Sequence, residues 1–282
     1  MYDPNVTDAK ETLEYGAYVK IVDDPRYPPL ASPVNGQTFN HYAQLTKSVN
    51  SLPGLDFALS ENDNQQVVQK YGFSYDIDAS ADAYKHTIWT VGGMYPYDTL
   101  NTPRALSVSS AGADDGVQVQ VQGLNSDWDE VVETVTLQGV TSLPGLWRRV
   151  YRASVAGSVE STDDIRVTID DTSEVVAEIL TEEQQTLMAL YTVPRGYTAF
   201  LSNFESSINR NEDMLLRLRI REPGGVFKTK HLAHVYATTY RYNYDVYKPV
   251  FEMCDVELTA APVNNNVACH AAFDMILLRN QT

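Results

Sequence analysis

The chain has 282 residues, of which 43% are hydrophobic and 21% charged, so it can bury a core without disulfides or metals. Its 21 basic and 37 acidic residues give a net charge of −16. That charge argues against nucleic acid and anionic membranes as partners, since both require a basic surface. No apolar run approaches the ~20 residues that cross a bilayer, and the N-terminus resembles no secretory signal, so synthesis in a cytosol is expected.

Residues 1–85 are predicted to form an N-terminal arm and a small docking region. Several prolines within residues 1–30 exclude helix there, because proline lacks an N–H donor and restricts the residue before it. A short helix is expected over residues 38–50. A strand is expected over residues 73–77, where apolar and polar side chains alternate. The extended arm is either a linker or a strap across a neighbouring subunit.

Strict alternation of apolar and polar residues is clearest in residues 117–123 and residues 131–139. In the first of these, Val117, Val119 and Val121 alternate with glutamines. A period of two places the valines on one face of a strand and the glutamines on the other. The pattern predicts an antiparallel sheet with one buried face and one solvated face.

A β-sandwich domain is predicted over residues 86–180, because strands separated by turns recur there about every 8–12 residues. The expected strands cover residues 87–91, 106–109, 117–122, 130–137, 147–155, 165–169 and 175–179. Two turn sequences, Asp114-Asp115-Gly116 and Asp170-Asp171-Thr172, predict hairpins.

A second β-rich domain is predicted over residues 181–282, after a polar interruption at residues 181–186. Its expected strands cover residues 187–193, 197–204, 215–221, 226–231, 235–244, 250–258 and 271–278. The fold class that follows is all-β and mainly antiparallel. It comprises two domains of sandwich or jelly-roll type, an extended N-terminal arm and at most short helices.

No metal, cofactor or catalytic site is predicted. His231, His234, Cys269 and His270 are ligand-type residues, but strand positions three apart point to opposite faces. The acidic pairs occur in turns, where Asp caps the backbone; a calcium loop and a glycosidase pair are the alternatives. The sequence contains neither a nucleophile elbow nor a phosphate loop, so an enzyme is not predicted.

The two cysteines, Cys254 and Cys269, are expected to be free and buried. A disulfide between them is the alternative, which the sequence does not decide. Two cysteines in a chain of this length do not make a disulfide scaffold.

A basic strand face is predicted at Arg217, Arg219 and Arg221, with Lys228 and Lys230 across a turn. Leucine and isoleucine alternate with the arginines and form the opposite face. In a chain this rich in acids, we expect the arginines to pair with carboxylates on an adjacent strand or on another subunit. A phosphate or nucleic-acid groove is the alternative, but no aromatic residues interleave with the patch.

A tyrosine stripe is predicted at Tyr236, Tyr240, Tyr242, Tyr244 and Tyr247. Tyr240, Tyr242 and Tyr244 share one strand face because they are two residues apart. Tyrosine is enriched at protein interfaces, so we interpret the stripe as a subunit contact, with Tyr27 of the arm as a further contact residue. The alternative is a platform that binds sugars.

Residues 89–220 resemble a family of virion structural proteins from tailed bacteriophages, including phages of marine and cyanobacterial hosts. The resemblance is carried by five stretches within a region that makes up about half the chain, namely residues 89–97, 117–130, 133–141, 147–153 and 185–196. The resemblance implies a β-rich component that decorates the head or belongs to the tail. It implies no catalytic residues.

The predicted function is therefore a non-enzymatic structural component of a virion, made in the host cytoplasm and assembling as a homo-oligomer on the head or tail. Its expected partners are other copies of itself and other virion structural proteins, without nucleic acid, membrane or cofactor. The alternative is a receptor- or carbohydrate-binding fibre protein that recognises a host-surface glycan. A hydrolase with an unrecognised site ranks third.

Overall fold

The computed structural model describes residues 65–78, 86–112, 114–209, 212–263 and 266–280. Within these ranges the chain forms β-strands and one short 3-10 turn at Thr99–Asn101. The strands are β1 (Gln65–Ile77), β2 (His86–Thr87), β3 (Leu106–Ser110), β4 (Gln118–Asn125), β5 (Glu130–Thr136), β6 (Thr141–Ser142), β7 (Trp147–Ala156), β8 (Ile165–Ile169), β9 (Val175–Ile179), β10 (Leu190–Thr192), β11 (Tyr197–Ile208), β12 (Asp213–Arg221), β13 (Lys228–Tyr236), β14 (Thr239–Val250), β15 (Asp255–Pro262) and β16 (Val267–Arg279). The pairings between these strands are antiparallel, so the all-β prediction is confirmed. The predicted arm, the helix over residues 38–50 and Tyr27 lie outside the described residues.

The first sheet pair consists of strands β3 to β9. One sheet has the order β6-β3-β8-β9 and the other the order β5-β4-β7. Val119 and Val121 of β4 are fully buried, while Gln118 and Gln120 beside them are exposed. The alternation that predicted one dry face and one wet face is therefore confirmed in this strand.

The second sheet pair consists of β1, β2 and strands β10 to β16. One sheet has the order β1-β16-β11-β14; the other has the order β10-β15-β12-β13, with β2 paired to β15. Strand β1 pairs with β16 along most of its length, so residues before the first sheet pair complete a sheet built from the last third of the chain. The sequence pattern indicates only the end of this strand, because its first residues are mostly polar. The domain boundaries at residues 85 and 180 stay predictions.

A cluster of buried apolar side chains contains residues of both sheet pairs, including Val121 and Val167 of the first and Leu277 of the second. Backbone packing is close at Gly72 of β1, where an added Cβ would overlap the carbonyl oxygen of Ile88 and the amide of Ala189. Only glycine fits there, because it alone lets two backbones approach so closely.

Three of the predicted strands are wrong. The strand expected over residues 87–91 ends at Thr87, because a turn follows at residues 90–91, and each of the other two is divided by a turn. The expected strand over residues 235–244 is divided at Ala237, which has a φ of 44° and separates β13 from β14. The expected strand over residues 250–258 is divided before Asp255, where Met253 has a φ of 59°. Neither turn contains glycine, the residue that usually marks positive φ, so no local signal reveals them in the sequence.

The two predicted hairpins have different outcomes. The turn at Asp170-Asp171-Thr172 joins β8 to β9, which pair as expected. The turn ending at Gly116 has the expected positive φ of 95°, but the strands it connects, β3 and β4, belong to different sheets. The Asp-Gly signal therefore predicts the turn correctly and the strand pairing wrongly.

The aspartates in turns cap backbone groups, as the sequence predicts. The buried carboxylate of Asp114 accepts hydrogen bonds from the amide of Thr162 at 2.7 Å and from the hydroxyl of Ser110 at 2.5 Å. Burial alone would raise the pKa of Asp114, but these hydrogen bonds outweigh it and the pKa is lowered. Asp164 similarly accepts from the amide of Thr181 at 2.9 Å.

Candidate functional site

The predicted arginine face forms a ladder with strand β15. In the antiparallel register, Arg221 lies opposite Asp255 and Arg219 lies opposite Glu257. Arg221 Nε donates to Asp255 Oδ2 at 2.8 Å, and Arg219 Nε donates to Glu257 Oε1 at 3.0 Å. The expected pairing with carboxylates on an adjacent strand is what the structure shows at these two rungs.

Asp255 also joins the two sheet pairs. Its carboxylate accepts two hydrogen bonds from Arg149 of β7, at 2.7 Å to Nε and 3.1 Å to Nη2. The hydroxyl of Thr192 donates to it at 2.6 Å. Asp255 and Arg149 are both buried. Burial alone would lower the pKa of Arg149, but the charge of Asp255 opposes this effect and the pKa is raised.

Aromatic rings cover the guanidinium groups of the ladder. Arg149 and Arg221 lie over the ring of Tyr97, at 5.3 and 4.9 Å from its centroid. Arg219 and Arg221 lie over the ring of Phe227, at 4.7 and 4.9 Å. The faces of these rings attract cations, which compensates part of the desolvation of the guanidiniums.

Glu257 is fully buried at the second rung. The hydroxyl of Thr87 donates to its second oxygen at 3.0 Å, while Arg219 occupies the first. Burial raises the pKa of Glu257, and the charge of Arg219 opposes that rise. Strand β2 is therefore held to the ladder by a side-chain hydrogen bond as well as by its backbone.

The ladder has a third rung that lacks an acid. Arg217 lies opposite Thr259 on β15 and opposite Leu232 on β13. Nη1 of Arg217 and the hydroxyl of Thr259 are both buried, and neither makes a hydrogen bond to any described residue. Arg217 remains partly exposed, unlike the two arginines that follow it.

The interface prediction for the arginine face needs correction at two positions. Arg219 and Arg221 are buried and bound to acids of their own chain, so neither guanidinium is available to a neighbouring subunit. The sequence does not distinguish an adjacent strand from an adjacent subunit, since both offer carboxylates at strand spacing. Arg217 stays a predicted contact residue.

The tyrosine stripe faces strand β13. Tyr240, Tyr242 and Tyr244 all contact the ring of buried Phe204, with centroid distances of 6.1, 5.6 and 6.2 Å. The hydroxyl of Tyr240 lies 2.6 Å from Nε2 of His231 on β13. The shared face is confirmed, and the stripe fills the space between the two sheets at their edge. Tyr242 is 37% exposed; its role in a subunit contact stays a prediction, as do those of Tyr240 and Tyr244.

Strands β13 and β14 form an exposed corner of the second sheet pair. Each is the last strand of its sheet among the described residues, and a short turn after Tyr236 connects them. We name this feature the β13–β14 corner. Its exposed apolar residues are Leu232, Tyr236, Tyr242, Val246 and Tyr247. Single exposed apolar residues are ordinary, but several of them on two strands whose outer edges no described strand covers are typical of a contact surface.

Val246 is the most exposed of the apolar residues named for the corner. Lys248 pairs with Leu201 and Asn243 pairs with Asn203, so residues 244–247 stand opposite a single residue of β11. This bulge carries the side chain of Val246 outward, and the residue is 85% exposed.

The candidate metal ligands do not converge. His231 contacts the tyrosine stripe, and Nε2 of His234 lies 3.4 Å from Asp213. Cys269 is buried in the apolar cluster, whereas His270 contacts the hydroxyl of Ser207 at 2.5 Å. Within the described ranges, no group of three or more His, Cys, Asp or Glu residues could hold a metal ion.

Cys254 and Cys269 are free and buried, so the disulfide that the sequence left open is not formed. Burial raises the pKa of Cys254 to about 11 and that of Cys269 to about 12. Thiols with such pKa values are poor nucleophiles near neutral pH.

A polar cleft of about 520 Å³ lies where the two sheet pairs meet. Its lining includes Gln66, Gln122, Glu130, Tyr197 and Arg279. Amides, a carboxylate, a guanidinium and a phenol ring thus face one space.

In the described part of the chain, no helix has the length and hydrophobicity that a bilayer crossing requires.

Neither a protein-family model nor a curated protein matches the sequence. Among solved structures, the PBSX exported protein XepA matches 75% of this chain and 86% of its own, at 6% identity and a TM-score of 0.18. A structure of infectious bursal disease virus, strain Gx, matches 77% of this chain and 73% of its own, at 9% identity and a TM-score of 0.23. The VP2 subviral particle of that virus matches 78% of both chains, at 9% identity and a TM-score of 0.18. Weak structural neighbours therefore include viral particle proteins, and at these TM-scores they carry no argument about the role of this chain.

Proposed function

We propose that this protein is a non-enzymatic structural component of a tailed-bacteriophage virion that assembles as a homo-oligomer on the head or tail. Its partners are other copies of itself and other virion structural proteins. The observation that carries the assembly part is the β13–β14 corner, where two strand edges without a partner strand among the described residues adjoin exposed apolar side chains. The resemblance of residues 89–220 to phage virion proteins supports the virion part.

Open strand edges suit assembly because their unpaired N–H and C=O groups can pair with another chain. Apolar side chains beside them add burial when the contact forms. The buried ion pair between Arg149 and Asp255 links the two sheet pairs, so the corner is presented by a body whose halves are cross-linked. A rigid body loses less conformational entropy on assembly than a mobile one.

The test is the mass of the purified protein in solution, with Val246→Asp as the disrupting variant. We expect wild type to exceed the 31.5 kDa of one chain and the variant to approach it, because a buried unpaired carboxylate opposes contact. Val140→Asp is the matched control, since Val140 is 73% exposed on the first sheet pair. Wild type that is monomeric at all concentrations, or a Val246→Asp protein with wild-type mass, contradicts the proposal.

A second candidate function, recognition of a host-surface glycan, is favoured by the polar cleft. Sugars present many hydroxyls, and the cleft offers both donors and acceptors beside the ring of Tyr197. We expect glycan-array binding that Arg279→Gln reduces at least about tenfold, a typical effect of losing a charged hydrogen bond. Binding that Tyr242→Ala reduces instead places the site on the stripe. Absence of binding to any glycan eliminates this function.

A further inference from the structure

Along the ladder between β12 and β15, an arginine faces an acid at the first two rungs but not at the third. Acids occupy positions 255 and 257 of β15, opposite Arg221 and Arg219, and Thr259 occupies the next position on the same face. Arg217 is thus the only arginine of the described ladder without a carboxylate opposite it. The strand geometry brings a guanidinium and a hydroxyl together where an acceptor is missing.

Both groups at this rung have unused hydrogen-bonding capacity. Nη1 of Arg217 and Oγ1 of Thr259 are buried, and no described residue accepts from either. A buried donor without an acceptor is costly, more so when it is charged. An anionic acceptor at this rung would therefore find donors that no described residue uses.

The rung reaches solvent only at its outer side, since Nη1 of Arg217 and Oγ1 of Thr259 are themselves covered. Arg217 is partly exposed, and its β13 neighbour Leu232 is exposed. Lys230, also exposed, lies nearby on β13 and adds positive charge. The rings of Tyr97 and Phe227 cover the guanidiniums of the first two rungs, so Arg217 is the most exposed arginine of the described ladder. An acceptor from outside reaches Nη1 and Oγ1 once the side chains that cover these two atoms move.

We propose that Arg217 and Thr259 bind a carboxylate, and that an acidic side chain of a second copy of this chain supplies it. A carboxylate matches the planar fork of arginine and can accept from both donors. The chain carries 37 acidic and 21 basic residues, so acids are abundant on its copies. The second part of this proposal depends on the proposed assembly, whereas the binding of a carboxylate does not.

The first experiment tests the site alone, with formate as the probe. Thermal unfolding is measured on dilute, monomeric protein in sodium formate and in sodium chloride of equal ionic strength. We expect formate to raise the Tm of wild type by about 2 °C or more relative to chloride. The shift should be absent in Arg217→Gln and reduced in Thr259→Val. The valine variant keeps the shape of threonine and removes a hydroxyl that has no partner among the described residues, so it is expected to fold. If formate and chloride give wild type the same Tm, the site is refuted.

The second experiment identifies the source of the carboxylate. Sedimentation of wild type, Arg217→Gln and the control Lys228→Gln is compared at concentrations that permit self-association. We expect Arg217→Gln to weaken association about tenfold or more, and Lys228→Gln to leave it unchanged. If formate raises the Tm of wild type but Arg217→Gln self-associates as strongly as wild type, the carboxylate does not come from a second copy of the chain. A formate shift in a protein that never associates contradicts the assembly and leaves the carboxylate site standing.

Discussion

Replacing Asp255 with Asn should lower the free energy of unfolding by about 3–5 kcal/mol. The carboxylate is buried between Arg149 and Arg221, at 2.7 Å from a nitrogen of each. Asparagine keeps an acceptor oxygen but removes the negative charge, which leaves two guanidiniums buried beside a neutral amide. Equilibrium unfolding in urea, followed by tryptophan fluorescence, measures the difference.

The matched control is Asp171→Asn. Asp171 forms an ion pair with Arg104 at 2.5 Å, but its side chain is 55% exposed, so water replaces the lost interaction. We expect this variant to stay within about 1 kcal/mol of wild type. Equal losses in the two variants would show that burial of the Asp255 network does not strengthen it, and would contradict the role of Asp255 as the link between the sheet pairs.

The sequence predicts which residues of one strand share a face. It does not predict which residues of other strands these side chains contact. The shared face of Arg217, Arg219 and Arg221 follows from a period of two, as does that of the tyrosine stripe. That Arg221 and Arg149 meet at Asp255 depends on a register between strands far apart in the chain. Such pairing is set by the packing of the whole sheet, which a local pattern does not record.

The sequence pattern also fails to predict most of strand β1, which precedes the first sheet pair. Gln65, Gln66, Gln69 and Lys70 make residues 65–77 polar, which favours a docking region over a sheet strand. In the structure this stretch is a long strand that pairs with β16, and Lys70 points into the interior. Burial of a lysine is uncommon, so a propensity-based interpretation assigns such a residue to the surface.

Burial gives Lys70 an unusual titration. Its ammonium nitrogen donates to the carbonyl oxygen of Tyr151 and lies 5.5 Å from the centroid of the Tyr151 ring. Desolvation by burial lowers the pKa of Lys70 from 10.5 to about 7; the charge of Arg152 also lowers it, and Glu130 opposes both. Near neutral pH the folded protein therefore holds Lys70 partly uncharged, whereas the unfolded chain holds it protonated.

This difference predicts that the free energy of unfolding rises by about 2 kcal/mol between pH 7 and pH 9. In this window the unfolded chain binds a proton at Lys70 that the folded protein has released, so raising the pH favours the folded state. Above pH 9 the buried thiols act in the opposite direction. Their pKa values, raised from 9.0 to about 11 and about 12, keep the folded protein protonated after the unfolded chain has lost its protons. Urea unfolding at closely spaced pH values should therefore show a maximum near pH 9.

Lys70→Met isolates the contribution of Lys70, because methionine keeps the apolar stem and cannot titrate. We expect the stability of this variant to be nearly independent of pH between 7 and 9. Lys228→Met, at an exposed lysine of β13, should retain the wild-type slope. A wild-type curve that is flat across this range, or a Lys70→Met curve with the wild-type slope, would mean that Lys70 remains charged in the folded protein. Its contact with Tyr151 and the opposing charge of Glu130 would then outweigh the desolvation of the ammonium group.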